Sequence, residues 1–225
     1  MDSLLDLRER CPSKNRECPV FDEVLRLREE CKRLQELTQV DTLTGLFNFR
    51  YMMTALSGEM ERTRRTGLFT GLIICDLDYF KRINDTYGHE CGNKALKWFS
   101  NIWRDNIRRI DMACRYGGEE FVVILPGTRL PQAIQAAERL RLALEKSPVK
   151  LNGDPVKLTA SFGVDAYRGR KKLSVEAFIE RADQFLLEAK ARGRNLVCYD
   201  ESKITIALEG LTHEEREALF ATRRP

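Results

Sequence analysis

A Gly-Gly pair at positions 117–118, between two apolar runs, constrains the fold of this chain more than any other feature. The runs, residues 112–116 and 121–125, are rich in β-favouring side chains. Glycine adopts the positive φ angles of tight turns, so the pattern predicts an antiparallel hairpin with the glycines at its tip. Glu119 and Glu120 follow the glycines directly. Two carboxylates are therefore expected beside the turn, an arrangement that solvated hairpins also show.

Composition narrows the class of protein. The chain has 225 residues, 43% of them hydrophobic and 32% charged, which is typical of a soluble globular protein with one good-sized core. Its 38 basic and 34 acidic residues are interleaved, so the net charge of +4 does not indicate a nucleic-acid partner. No apolar run approaches the roughly 20 residues that span a bilayer, and the N-terminus lacks a signal-peptide pattern. We therefore predict a cytoplasmic protein with no membrane partner.

Hydrophobic periodicity predicts four parts. Residues 1–19 are expected to be a flexible leader, 20–40 a helix, 41–202 the main domain and 203–225 a helical appendage. Within the main domain, the pattern predicts helices at 49–66, 91–107, 131–146 and 175–189, and strands at 68–76, 156–162 and 195–199. Strands and helices in this mixed order predict an α/β or α+β layer with helices packed on a sheet.

The segment 20–40 has a coiled-coil pattern. Apolar positions recur at alternating spacings of four and three, with charged residues between them: Val20, Val24, Leu27, Cys31, Leu34 and Thr38. This is about two and a half heptads. A short dimeric coiled coil and a helix lying on its own domain are both compatible with it.

The seven cysteines lack metal-finger spacing. Cys75 and Cys114 lie in strand-like apolar runs, where a free thiol is expected to be a small core residue. Cys11, Cys18 and Cys31 lie in the N-terminal segment, where they are either plain reduced thiols or a metal, haem or redox sensor.

Acidic residues also end the strand predicted over 68–76. Its apolar core, residues 71–75, is suited to burial on both faces, and Asp76-Leu77-Asp78 follows. Acids at the carboxyl end of a buried strand are expected to point into the crevice where ligands bind. If the hairpin lies alongside, Asp76 and Glu119 can converge on one hard cation such as Mg²⁺, as in phosphoryl or nucleotidyl transfer. The alternative is a pair of solvated acids at loop ends.

Four ordered motifs carry a family resemblance. They are D-x-L-T-G-L-x-N at 41–48, D-x-D-x-F-K-x-I-N-D-x-x-G-H at 76–89, R-Y-G-G-E-E-F at 115–121, and E-A-K-x-x-G-R-N at 188–195. With them the chain resembles the GGDEF family of diguanylate cyclases over roughly residues 41–200, with a GGEEF form of the signature. The resemblance implies a palm-like α/β (α+β) domain whose central, mostly antiparallel sheet is flanked by helices, similar to the adenylyl cyclase catalytic domain.

The resemblance also implies an activity. Family members condense two GTP into cyclic di-GMP, a bacterial second messenger, and release two pyrophosphates across a homodimer. The implied cofactor is Mg²⁺, with Mn²⁺ as an alternative. The implied metal ligands are Asp76, the Leu77 carbonyl, Glu119 and Glu120, and the implied catalytic residues are Glu119, Glu120 and Lys81.

Further motif positions imply contacts with nucleotide and product. Phe80, Asn84, His89 and Asn93 match substrate-binding positions, and Lys190 and Arg194 match groups that reach the terminal phosphates. For His89 the alternative is a packing histidine at a helix terminus. Arg108 and Asp111 match an R-x-x-D site at which the product inhibits the family's enzymes.

The chain departs from the family at two positions. Phe49 stands where the family commonly has Arg. Asn93 stands where the family usually has the Asp that reads guanine, and a carboxamide can pair with either guanine or adenine. ATP is therefore a second candidate substrate, with cyclic AMP-GMP as the product. A receptor that binds cyclic dinucleotides without turnover is a further alternative, and a coiled-coil scaffold would explain residues 20–40 only.

Overall fold

The computed structural model describes residues 23–30, 39–169 and 172–202. The chain divides into two units between Gln39 and Val40. In the first unit, residues 23–30 form helix α1, on which Val24 and Leu27 are 44% and 50% exposed. Most of the predicted seam, the three N-terminal cysteines and the segment 203–225 lie outside the described residues. The coiled coil and the domain boundaries therefore stay predictions.

The second unit alternates helices and strands along the chain. Its elements are α2 (Phe49–Thr66), β1 (Thr70–Leu77), α3 (Phe80–Tyr87), α4 (His89–Asn106), β2 (Met112–Gly117), β3 (Glu120–Pro126), α5 (Leu130–Lys146), β4 (Val149–Leu151), β5 (Asp154–Val156), β6 (Ala160–Tyr167), α6 (Val175–Ala191) and β7 (Val197–Tyr199). The four predicted helices of the main domain are confirmed. The predicted hairpin is present as well, but its turn residues are Gly118 and Glu119, because Gly117 pairs with Glu120. Helices of the described residues lack the combined length and apolar character of a membrane span.

The central sheet has the strand order β2-β3-β1-β6-β7. Its first three neighbouring pairs are antiparallel, and only β6 and β7 run parallel. The predicted mostly antiparallel sheet is therefore confirmed.

Both faces of the sheet are covered by helices. Successive side chains of a strand point to opposite faces, and in β1 Ile73 packs with α4 and α5 whereas Leu72 and Ile74 pack with α2 and α6. This explains why residues 71–75 are continuously apolar. Cys75 and Cys114 are buried as free thiols, as predicted.

One strand prediction was wrong, and three elements were missed: the two strands of the β4–β5 hairpin and helix α3. The strand predicted at 156–162 runs instead from Ala160 to Tyr167, because the alternation before Ala160 belongs to the β4–β5 hairpin and to the chain leaving it. That hairpin turns at Asn152-Gly153, where both φ angles are positive, so the Asn-Gly dipeptide was an available signal. Helix α3 is too short and too polar for its periodicity to stand out.

Close packing of α6 on the sheet depends on Gly163 in β6. A Cβ at this position would overlap the backbone oxygen of Ala182 and the backbone nitrogen of Leu186. Backbone atoms of a helix cannot yield as a flexible side chain can. Gly163 therefore sets the distance at which α6, which carries Lys190, lies over β6 and β1.

We expect Gly163→Ala to lower the free energy of unfolding by about 3 kcal/mol, because the methyl group must push α6 away. Gly58→Ala is the matched control: Gly58 is exposed on α2, and a Cβ there meets no atom within 4 Å. The control should gain about 0.5–1 kcal/mol from its better helix propensity. Urea unfolding measures both, and equal midpoints for the two variants would contradict the packing argument.

Candidate active site

The carboxyl end of β1 is where the predicted acids meet. Antiparallel pairing places Asp76 opposite Glu120 of β3, and the Leu77 backbone N–H donates to the Glu119 carbonyl oxygen at 3.3 Å. On its other side Asp76 is opposite Ser161 of β6. The hairpin thus lies directly beside the strand, and the two carboxylate-bearing segments share one edge of the sheet.

Lys190 of α6 reaches into this cluster. Its Nζ lies 3.0 Å from Asp76 Oδ2, and both side chains are partly buried. Burial raises the pKa of Asp76, the Lys190 ammonium group opposes that rise, and the neighbouring Asp78 adds to it. Burial also raises the pKa of Glu120, with a further contribution from the charge of Asp76. Lys190 therefore does not fully compensate the negative charge of the clustered carboxylates. A bound cation would reduce the repulsion between them.

The donor set fits a divalent cation that is shared with a phosphate ligand. Among the described residues, no three His, Cys, Asp or Glu side chains are placed to enclose a metal ion by themselves. The site offers the carboxylates of Asp76, Glu119 and Glu120 beside the Leu77 carbonyl. Mg²⁺ is usually held by one or two carboxylates, with water and substrate phosphates completing its octahedron. A site with few protein ligands and excess negative charge is therefore suited to Mg²⁺ that is also bound by a phosphate.

Asp78 does not point into the crevice, and that expectation was wrong. Its carboxylate is buried and accepts hydrogen bonds from Thr159 Oγ1 at 2.8 Å, Ser161 Oγ at 2.7 Å and the Asn195 backbone N–H at 3.0 Å. The hydroxyl donors come from β6 and the residue before it, which pairing brings beside the end of β1. Asp78 therefore ties three segments together and is not a solvent-facing ligand.

The predicted nucleotide-binding residues lie at the corner between α3 and α4. Lys81, His89 and Asn93 are exposed, so the packing alternative for His89 is not supported. Asn84 rests its side-chain oxygen on the backbone of Gly92, where a Cβ would overlap it.

Phe80 is placed differently from these polar neighbours. Its ring is buried in the core beneath the α3–α4 corner. The nucleotide contact that the resemblance implies for Phe80 stays a prediction.

Arg194 approaches the acids from the loop that follows α6. Its guanidinium lies 4.6 Å from the centroid of the Tyr79 ring, and its positive charge acts to lower the pKa of Asp76. Lys190 and Arg194 are thus two basic groups at one end of α6, beside the carboxylates. This is where groups that bind a triphosphate are expected.

Arg115, the first residue of the R-Y-G-G-E-E-F motif, has a structural role that the motif alone does not indicate. Its Nη1 lies 3.2 and 3.3 Å from the two carboxylate oxygens of Asp41, and its Nε and Nη2 donate to the Gly118 carbonyl oxygen at 3.0 and 2.7 Å. Asp41 also accepts from the backbone N–H and hydroxyl of Thr44. Arg115 therefore fastens the turn before Glu119 to the structured turn at the start of the domain.

The pKa of Asp41 lies below its usual value. Burial acts to raise it, but the hydrogen bonds from Thr44 and the charge of Arg115 outweigh burial. A carboxylate of this kind contributes stability above its unfolded pKa of about 3.9, and the contribution is lost as the pH falls through the lower folded value.

Arg115→Ala is expected to cost about 1–3 kcal/mol of unfolding free energy at pH 7, because it strands a half-buried carboxylate and the Gly118 carbonyl. The loss should shrink below about pH 4, where Asp41 is protonated in the unfolded chain and begins to be protonated in the fold. Urea unfolding across this pH range measures it. Arg62→Ala, which removes a long surface pair between Glu59 and the exposed Arg62 on α2, is the control and should leave the midpoint unchanged. A pH-independent loss at Arg115 would contradict the role of Asp41.

Arg108 and Asp111 form a turn between α4 and β2. Asp111 Oδ2 accepts from the Arg108 backbone N–H at 2.9 Å, and the Asp111 N–H donates to the Arg108 carbonyl oxygen at 3.0 Å. The Asp111 carboxyl is buried, which raises its pKa, whereas the Arg108 side chain is exposed. Among the described residues, Asp111 Oδ1 has no hydrogen-bond partner. The turn thus presents an exposed guanidinium beside a carboxylate of which one oxygen has no hydrogen-bond partner among the described residues.

Comparison with known proteins adds an independent line of evidence. The family model described as "Diguanylate cyclase, GGDEF domain" matches residues 38–196. The response regulator PleD of Caulobacter vibrioides is 42% identical over 173 residues, which are 76% of this chain and 38% of PleD. The chain thus spans well under half of that relative's length.

Solved structures agree with the sequence matches. The diguanylate cyclase SiaD of Pseudomonas aeruginosa, solved in complex with its activator SiaC, has a TM-score of 0.69 at 33% identity and covers 87% of this chain and 76% of its own. The coiled coil and GGDEF domain of DgcB from Caulobacter crescentus, in complex with c-di-GMP, has a TM-score of 0.69 at 27% identity. It covers 80% of this chain and 94% of its own.

Proposed function

We propose, because this chain belongs to the GGDEF family of diguanylate cyclases, that it condenses two GTP molecules into cyclic di-GMP and releases two pyrophosphates. One observation supports this most: the β1–β3 register sets Asp76 against Glu120, with Lys190 on the same carboxylate. A degenerate member of the family would not be expected to keep a partly buried cluster of acids with raised pKa values beside basic groups.

In the proposed reaction, the 3′-oxygen of one nucleotide attacks the α-phosphorus of the other. A bond from oxygen to that phosphorus forms, and the bond to the pyrophosphate oxygen breaks. Asp76, the Leu77 carbonyl, Glu119 and Glu120 would hold Mg²⁺, or Mn²⁺ in its place, which neutralises charge on the phosphates. Glu120, whose pKa is raised, is the candidate acceptor of the 3′-hydroxyl proton.

The basic groups act on the triphosphate. Lys190 and Arg194 lie at the end of α6 beside the acids, and Lys81 lies on the first turn of α3. Each would donate to phosphate oxygens, with charge-assisted hydrogen bonds that strengthen as pyrophosphate leaves.

Two further parts of the proposal concern assembly and regulation. One domain offers one nucleotide site, so two copies must face each other for the two attacks, and the working form is a homodimer. Cyclic di-GMP would inhibit by binding at the exposed Arg108 and the carboxylate of Asp111.

Base choice depends on Asn93. Its amide is exposed near the start of α4 and has no hydrogen-bond partner within the described residues that would fix which atom faces a base. A carboxamide can accept from the guanine N1 hydrogen and donate to O6, or pair with N1 and N6 of adenine. Cyclic AMP-GMP is therefore the second candidate product.

Product identification tests the proposal directly. Purified protein is incubated with Mg²⁺ and GTP, ATP or an equal mixture, and the cyclic dinucleotides are separated by chromatography and weighed by mass spectrometry. We expect cyclic di-GMP from GTP alone. Cyclic AMP-GMP as the main product of the mixture would favour the second candidate, and Asn93→Asp should then restore cyclic di-GMP. The absence of any cyclic dinucleotide would contradict the enzymatic proposal.

Glu119→Ala tests whether the proposed metal-binding carboxylate is required for turnover. Removal of a metal-holding carboxylate is expected to lower turnover by about a thousandfold, whereas Glu61→Ala, on the exposed face of α2, should leave it unchanged. Calorimetry measures the binding of cyclic di-GMP to the product site independently of catalysis. The affinity for cyclic di-GMP should be the same in both variants. Binding without turnover in the unmodified protein would instead identify a receptor.

A further inference from the structure

Asp78 and Tyr79, which directly follow β1, contact Asn195 and Arg194, which lie in the loop after α6. Asp78 accepts the Asn195 backbone N–H at 3.0 Å. The Tyr79 ring lies 4.6 Å from the guanidinium carbon of Arg194, and Arg194 Nη1 donates to the Tyr79 hydroxyl at 3.4 Å. These contacts join residues more than a hundred positions apart in sequence.

The loop adopts a backbone conformation that needs outside support. Arg194 and Asn195 have φ angles of 65° and 48°, and Gly193 before them has a φ of 120°. Side chains other than Gly, Asn and Asp rarely occupy the left-handed region, so Arg194 is held there against its own preference. Tyr79 is itself left-handed, with a φ of 57°. Backbone conformations of this kind persist when surrounding contacts stabilise them, and they are common at ligand-binding sites.

The support is anchored in the core of the domain. Asp78 is 6% exposed and receives the hydroxyls of Thr159 and Ser161 on the same carboxylate that receives the loop. The position of Asn195 is therefore fixed relative to β1 and β6, which also carry Asp76 and its neighbours. The side chain of Arg194 starts one residue before this fixed point.

Tyr79 has no comparable role in the core. Its side chain is 53% exposed, and its contacts are with Arg194 and with Arg82, whose guanidinium lies 5.7 Å from the ring. Stacking under a guanidinium restricts the rotamers of the arginine before a ligand arrives, which lowers the entropic cost of binding.

We propose that Asp78 and Tyr79 are positioning residues for Arg194, which they hold ready for the triphosphate, and that they set nucleotide affinity and not the rate of the chemical step. Asp78 fixes the backbone of the loop, and the Tyr79 ring orients the guanidinium. The assignment of Arg194 to the triphosphate rests on the proposed function, whereas the positioning contacts do not.

The test uses binding without turnover. The probe is 3′-deoxy-GTP with Mg²⁺, which lacks the attacking hydroxyl, and its dissociation constant is measured by calorimetry. Tyr79→Leu keeps an apolar side chain but removes the π face, and it should weaken binding about two- to fivefold. Tyr79→Phe keeps the ring and should stay close to the unmodified protein. Arg194→Ala should weaken binding by about tenfold or more.

The decisive measurement is the double variant. If Tyr79 acts through Arg194, Tyr79→Leu adds nothing to the dissociation constant once Arg194→Ala is present. In the condensation assay, Tyr79→Leu should raise KM with kcat nearly unchanged. Because Tyr79 is exposed, its variants should keep the urea midpoint of the unmodified protein, and Asp78, which is buried, is left intact.

Several outcomes overturn the proposal. Unchanged probe binding in Tyr79→Leu, equal weakening in Tyr79→Phe and Tyr79→Leu, or additive effects in the double variant would each do so. Failure of the proposed function looks different. The unmodified protein would then form no cyclic dinucleotide from GTP, while the binding pattern across the Tyr79 and Arg194 variants would still report on positioning.

Discussion

Antiparallel pairing of β1 with both β3 and β6 is the constraint on which the site depends. Because β1 is hydrogen-bonded on both sides, its end is held by backbone contacts from two neighbours. The β3 side brings the glutamates of the hairpin to Asp76. The β6 side brings the hydroxyls that fix Asp78, and through Asp78 the loop of Arg194. A shift of either register by one residue would turn these side chains to the opposite face.

Electrostatic balance at this point supports the proposed binding of a nucleotide. Asp76 and Glu120 are clustered and half-buried, their pKa values are raised, and Lys190 compensates Asp76 across 3.0 Å. The Lys190 ammonium group thus occupies the position beside Asp76 that a divalent cation would take. A divalent cation with its phosphates would satisfy the same carboxylate better and release Lys190 toward phosphate oxygens. Under the proposed function, Lys190 would exchange its observed partner Asp76 for a phosphate oxygen when the nucleotide binds.

Sequence reasoning succeeded where short-range patterns determine structure. The Gly-Gly hairpin and the apolar core of β1 follow from turn chemistry and strand burial, and the helices from their apolar stripes. It was wrong at β6, because a strand buried on both faces has no alternation to mark its start, and it missed the eight-residue α3. The roles of Asp78 and Arg115 could not be predicted, since the partners of Asp78 lie 81 to 117 positions away and Asp41 lies 74 positions from Arg115. Only the fold makes these contacts visible.

A crystal structure of the protein with Mg²⁺ and 3′-deoxy-GTP would test the exchange at Asp76 most directly. We predict that Asp76 and at least one hairpin glutamate bind the cation at about 2.1 Å, the distance typical of Mg²⁺ and oxygen. Lys190 Nζ should leave Asp76 for a phosphate oxygen. A complex in which Lys190 stays on Asp76, with the cation and triphosphate held elsewhere, would contradict the assignment of this cluster as the nucleotide site.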